Sequence, residues 1–447
     1  MNHLLCGLAA NPALPPELVD RLLTRALEEA GTGPDTERDY ADELLHDLTG
    51  RTGLRRDQVL ALAAYARSTA VPLAYRGTLT AADVDPMSWP YAAVALIDEG
   101  RGHPEWPRLL AAHPDSGIRW KLASCPGLPS DVVDLLAADP DVEVVEEVAR
   151  WTDSPVTARL ARHPDPRVRI AVAFNPTTPL EAVLALAEDP ELPLQWALSE
   201  RTDLPQALYA RLAADPNDGV RAAYARNPGI GQELIRVLAA DPEIEVRRAV
   251  AEHPRVPLDL LTGLVVGDRA AWNPLPRIAA ATPAELTELA GSRHAAVRML
   301  VAQRRDLPAH LRDALAVDPA ASVVRAVAAH PGLSEELLRA MVARHGVQVL
   351  AAVAANPDAS GALLEHLTQH RPGVRRALKE VAKHPHATGP ALLACLADRT
   401  SRPLAAAHPA LPPEAITGLL ADEDRRVAEE AAGNPSLPRA VMVELVP

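Results

Sequence analysis

The sequence predicts an all-α solenoid assembled from two-helix units of about 26 residues. Three observations carry that prediction. A motif ending in Asn-Pro or His-Pro recurs as Asn175-Pro176, Asn227-Pro228, His253-Pro254, His330-Pro331, Asn356-Pro357, His384-Pro385, His408-Pro409 and Asn434-Pro435. Aligned on that proline, with Thr152, Thr202, Ala280 and Arg305 where it is missing, the steps from Pro126 onward run from 24 to 28 residues and are mostly 26. Second, 43 prolines punctuate a 447-residue chain with only six Trp, six Tyr and one Phe, which fits many short helices cored by Ala, Leu and Val. Third, a helix pair this short cannot bury its own apolar face, so neighbouring units must stack.

Within one unit the punctuation sets the elements. Asp241-Pro242 ends a helix, and Val246 to Glu252 forms a short helical stretch that stops at His253-Pro254, because proline disfavours helical geometry in the residue before it. Pro257 then opens the next helix, whose apolar stripe is Leu258, Leu260, Leu261 and Leu264. The same start signal stands at Leu14-Pro15-Pro16, Leu128-Pro129, Leu204-Pro205, Leu307-Pro308, Leu411-Pro412-Pro413 and Leu437-Pro438.

Residues 1–103 are expected to hold diverged helical repeats with enlarged loops, and residues 104–447 a regular solenoid ending in a truncated cap at 440–447. In the first segment Glu28 to Glu37 reads as a polar break, and Tyr40–Leu48, Asp57–Tyr65 and Trp89–Ile97 read as helices. Val71-Pro72-Leu73 and Asp85-Pro86 read as degenerate copies of the punctuation.

The unit Val246-Arg247 through Leu261, with the same Val-Arg dipeptide at Val168-Arg169, Val220-Arg221 and Val297-Arg298, resembles the leucine-rich repeat variant family. The resemblance covers about residues 104–447 and again 8–23. It implies a right-handed superhelix used in the manner of HEAT and armadillo arrays, and it ties the chain to no single reaction. Some members carry an amino-terminal iron–sulfur module held by cysteines; this chain has only Cys6 there and departs from them.

Composition narrows the function classes. A net charge of -14 and a pI near 5.5 argue against nucleic acid as the partner. Cys6, Cys125 and Cys395 lie far apart, with no ligand spacing for zinc or a cluster, so neither metal nor other cofactor is expected. No apolar run is long enough to span a bilayer, which with the scattered cysteines makes a cytoplasmic protein the expectation. Abundant Ala and Arg beside only Lys121, Lys379 and Lys383 suit a high-GC actinobacterial, hence bacterial, source.

Comparison of repeat columns gives the candidate residues. The Asn/His before the anchor proline is expected to bond the turn backbone and form a ladder, because units roughly 10 Å apart cannot converge on one metal ion. Arg119, Arg169, Arg221, Arg247, Arg298 and Arg402, set against Asp139, Asp189, Asp215, Asp241, Asp318 and Asp422, suggest an Asp–Arg ladder between units. Trp120 and Trp196 stand where other units carry Glu146, Ala222, Arg248, Arg325 or Lys379, a position that tolerates charge. Trp120, Arg169, Trp196 and Arg221 are therefore the candidate ridge for a protein or peptide on the concave face, against the plainer reading that each Trp fills space between units.

Two rivals remain. A HEAT-like DNA-binding or base-repair protein would need Trp151, Asp153 and Trp196 in a basic groove, although Asp153 equally suits a turn that has lost its proline. An enzyme or enzyme-activating subunit would need a pocket within 24–103, using His46, Tyr65, Tyr75 or Asp83. No phosphate-binding loop, dinucleotide glycine motif or nucleophile elbow is present, and the balance leans away from catalysis towards a non-enzymatic scaffold.

Overall fold

The computed structural model describes residues 2–32, 35–188, 195–267, 275–370 and 373–446. Among these residues every regular element is an α-helix or a short 3₁₀ turn, with no strand. Successive helices of like position pack on one another from unit to unit, and the chain is an α-solenoid.

The chain divides into two compact units, Arg55–Ala270 with Leu275–Arg277, and Met1–Leu54 with Ile278–Pro447. That division is not the one expected after residue 103. In the first of these units one row of short helices runs through Ser116–Ala123, Val142–Trp151, Pro166–Phe174, Gln195–Ser199, Asp218–Arg226 and Ile244–Ala251, each packed on the next. Their inward faces are small and apolar: Val144, Val145, Val148 and Ala149 in one, Val168, Ala171, Val172 and Ala173 in the next. Asp115, Asp141, Asp165 and Asn217 cap these helices by accepting the backbone N–H two residues on. The alternate helices start as the sequence implies, with one adjustment. Pro129, Pro179 and Pro205 stand just before the first helical residue, in extended geometry, rather than inside the first turn.

The helices expected at the amino-terminal side of this unit are present as Arg56–Tyr65 and Pro90–Asp98. Between them lies a helix the sequence reading missed, Arg67–Tyr75, which carries Pro72 in its interior. Proline there removes the donor to the Ser68 carbonyl and crowds it, yet the helix runs through with Ala70, Leu73 and Ala74 buried, so Val71-Pro72-Leu73 is not a break.

The second unit joins sequence-distant segments. The polar stretch read as a break is largely helical: one helix runs Pro16–Thr32 and the next Asp35–Thr49. The helix Asn2–Ala10 packs on Arg425–Ala432. Asn11 Nδ2 donates to the Ala432 and Asn434 carbonyls, at 3.0 and 2.7 Å. Arg51 then donates to the Ala9 and Asn11 carbonyls, both at 2.7 Å. The stack therefore continues from Asn434 to Asn11 to Arg51 although the sequence does not. Helix Arg439–Leu445 is consequently not a free cap: Arg21 donates to the Val446 carbonyl at 2.6 Å, and Arg439 pairs with Glu17. Gly7 lets the backbones meet, since a Cβ there would lie 2.2 Å from the Glu429 carbonyl oxygen.

Candidate interaction surface

The column before the anchor proline is a hydrogen-bond ladder. Asn175, Asn227, His253, Asn356, His384, His408 and Asn434 are all buried. Asn227 Nδ2 donates to the Ser199 and Arg201 carbonyls, both at 2.6 Å, and its own carbonyl accepts from His253 Nε2 at 2.9 Å. Asn434 repeats the pattern on Ala406 and His408, at 2.7 and 2.9 Å. The other end of each side chain closes its own turn: Asn227 Oδ1 accepts from Gly229, and His253 Nδ1 from Arg255. Where the column changes to Arg201 or Arg304, the guanidinium reaches the same backbone of the preceding unit. These side chains serve the stack, and burial pushes the His253 and His408 pKa values down.

The arginine column is a second ladder. Arg221 grips Asp241 of the next unit with Nε and Nη2, at 2.8 and 3.0 Å, while Nη1 holds the Asp215 and Pro216 carbonyls of its own turn. Arg119 treats Asp139, His113 and Pro114 in the same way, and Arg298 binds Asp318 at 2.7 and 2.9 Å. Arg402 pairs with Asp422. The hydrogen bond from Arg221 holds the Asp241 carboxyl below the usual carboxylate range. Arg169 donates to the His163 and Pro164 carbonyls; its expected acid, Asp189, lies outside the described residues. Arg169 and Arg221 therefore go into the scaffold rather than onto a ridge, because the planar fork that suits a ligand suits a neighbouring carboxylate equally. The paired arginines form no run of uncompensated positive charge, which a nucleic-acid groove would need.

The tryptophans differ. Trp196 is 49% exposed, its ring edge resting on Gly219, where a Cβ would come within 3.1 Å of Cη2. Trp120 is half-buried, with the Lys121 ammonium 4.7 Å from its ring centroid. Phe174, exposed by 40%, was singled out by sequence only as a neighbour of Ile170; four residues on, it shares that helix face. Trp120, Ile170 and Trp196 hold like positions on the short-helix row, and Phe174 lies one turn further along its helix from Ile170. Acids and bases are interspersed there, with Arg150–Glu146 at 2.6 Å and Arg226–Glu252 at 2.5 Å.

Trp151 is 61% exposed, and its indole donates to Glu147 at 2.9 Å. Burial raises the Glu147 pKa, opposed by that bond. Trp151 and Asp153 border a crevice of about 120 Å³ between two units, and Trp196 is not among its lining residues. The enzyme trio is thus not assembled in one place. The proposed set within 24–103 is dispersed too. Tyr75 donates to Asp98 at 3.1 Å, Asp83 pairs with Arg56 and caps Thr80, and His46 belongs to the other compact unit. Tyr65 borders a cavity with Trp89 and Tyr91. Two aromatics were invisible as core from sequence: Tyr209 and Tyr224 are fully buried, edge to face at 6.3 Å, and the Tyr209 hydroxyl donates to the Arg201 carbonyl.

All three thiols are buried, and burial pushes each to about 12. Among the described residues no helix is long and apolar enough to cross a membrane, and no group of three His, Cys, Asp or Glu is placed to hold a metal ion.

Comparison with known families matches the leucine rich repeat variant at residues 166–191 and the Leucine Rich Repeat Variant domain at residues 322–382. None of the curated proteins matches the chain. The first family match covers the unit whose Asn175 donates to Ala149 and Thr152, and the second covers the unit whose Asn356 donates to Ala328 and His330. The helices, the two ladders and the repeat length agree with these matches: residues 166–191 and 322–382 carry leucine-rich repeat variant repeats, and the same unit recurs along the described chain.

Proposed function

We propose that this repeat scaffold holds a protein or peptide on the short-helix row of the Arg55–Ala270 unit, with Trp120, Phe174 and Trp196 as its anchors. One observation carries the reading: large apolar side chains stand substantially exposed, 49% for Trp196, whose ring edge alone meets Gly219, and 40% for Phe174. Exposed aromatics on a rigid frame make efficient anchors, because little side-chain and backbone freedom is lost when a partner docks. The interspersed Glu146, Arg150, Arg226 and Glu252 suit a partner of mixed charge, and a polyanion poorly.

The test is affinity capture from native extract with the full chain, the double variant Trp120→Ala, Trp196→Ala, and a control, Val237→Ala, whose side chain is 64% exposed on a different helix. The proposal expects one protein to be retained by wild type and control and lost by the double variant, with the helical circular dichroism unchanged. Equal retention by all three would remove the row from consideration.

A further inference from the structure

A cavity of about 260 Å³ lies where the end of helix Arg56–Tyr65 meets the starts of Arg67–Tyr75 and Pro90–Asp98. The corner that creates it is a single extended residue, Ala66, at φ -156 and ψ 162. Thr69, 1% exposed, braces that corner by donating to the Ala66 carbonyl at 2.7 Å and to the Leu62 carbonyl. Its lining includes three aromatic side chains, Tyr65, Trp89 and Tyr91, together with the buried Ala70 and with Arg67 and Ser88. The Arg67 guanidinium sits 4.2 Å from the Tyr91 ring centroid and is in no ion pair among the described residues. Stacking occupies the face of a guanidinium and leaves its edge N–H groups available for a carboxylate. Ala66 supplies no side-chain cap to the helix that follows, and the Thr69 and Ala70 amides donate to its carbonyl at 3.1 and 3.0 Å.

Size and chemistry together select a ligand. A cavity of about 150 Å³ holds benzene, and drug-sized ligands take about 300 Å³ or more. The space here suits one ring or two fused rings and one small polar group. We propose that this cavity binds a small aryl carboxylate, its ring between the Tyr65, Trp89 and Tyr91 side chains and its carboxylate on Arg67. The site is separate from the tryptophan row and does not depend on that row's having a partner.

The experiment uses the full chain with two probes, indole-3-acetate and 3-phenylpropionate, each beside its neutral amide, read by saturation-transfer NMR and calorimetry. A charge-assisted pair to Arg67 predicts saturable one-to-one binding, with each carboxylate about ten to a hundred times tighter than its amide. Arg67→Gln should bring the carboxylates to the level of the amides. Ala64→Trp, an exposed residue on the lining, should block both forms while the circular dichroism stays that of wild type. Failure of both carboxylates to saturate wild type at about 10 mM would overturn the proposal. So would amides that bind as well as acids, or affinity untouched by both variants.

Discussion

Asn356 offers the sharpest test of what holds the stack together. Its Nδ2 donates to the Ala328 and His330 carbonyls at 2.6 and 2.7 Å, its Oδ1 accepts from the Asp358 amide at 2.9 Å, and the residue is 0% exposed. Replacement by alanine strands two carbonyls on residues that are themselves buried, each at a cost of about 1–3 kcal/mol. The Asp358 amide lies nearer the surface, so water recovers most of the third bond. The expected loss is about 2–6 kcal/mol, a large fraction of the stability of a single domain. Asn356→His is the informative companion. By analogy with His384, whose Nε2 donates at 2.8 Å to one carbonyl and whose Nδ1 accepts from His386, it restores one rung and the turn, leaving a single unpaired carbonyl. Its expected cost is about 1–3 kcal/mol. Urea unfolding followed by circular dichroism at pH 8, where histidines are neutral, measures both variants. An alanine variant within about 1 kcal/mol of wild type, or a histidine variant no better than alanine, would refute the ladder as a source of stability.

Acid should loosen the same column. Burial holds His330 at about 4, against 6.5 for the free side chain, and also lowers His253 and His408. Neutral imidazole is therefore favoured in the folded state: this stability is complete above pH 6.5 and declines as pH falls towards 4, by about 3 kcal/mol for His330 alone. A urea midpoint that does not fall between pH 7.5 and 4.5 would contradict this, and His330→Asn should flatten that part of the profile. At the junction of the distant segments, Gly7→Val would thrust a side chain into the Glu429 carbonyl. Amide exchange over residues 2–23 should then accelerate at least about tenfold while residues 350–420 keep their protection; uniform protection would show that the junction yields without opening.

Repeat chemistry made the units legible in sequence. A residue needed by every unit appears in every unit, so the Asn/His rungs and the Arg–Asp pairs could be read from column spacing alone. The same logic identified Trp120 and Trp196 as departures. It overvalued Arg169 and Arg221, because a repeated arginine is more often bound to its neighbour than offered to a partner. Departures of a different kind were silent. Tyr209 uses the space left by Gly229, whose missing Cβ would lie 2.1 Å from its hydroxyl, and Tyr224 packs on it edge to face. The docking of Asn2–Ala10 on Arg425–Ala432 left no mark beyond the motif itself, since a ladder bond from Asn11 looks the same in sequence whichever unit precedes it. The aromatic cavity arises from the single extended residue Ala66, and no local propensity announces a corner there.

The junction of Asn11 with Asn434 has a bearing on how the chain is made. The acceptors of Asn11 emerge from the ribosome 421 and 423 residues after it. At about 5–20 residues per second, that interval is about 20–80 s. Asn11 thus has no rung to join while the units between it and Asn434, whose contacts are with adjacent units, can already assemble. During that interval the apolar face carrying Leu5, Leu8 and Ala9, fully covered in the finished protein, is open to chaperones or to the completed Arg425–Ala432 helix of a neighbouring chain.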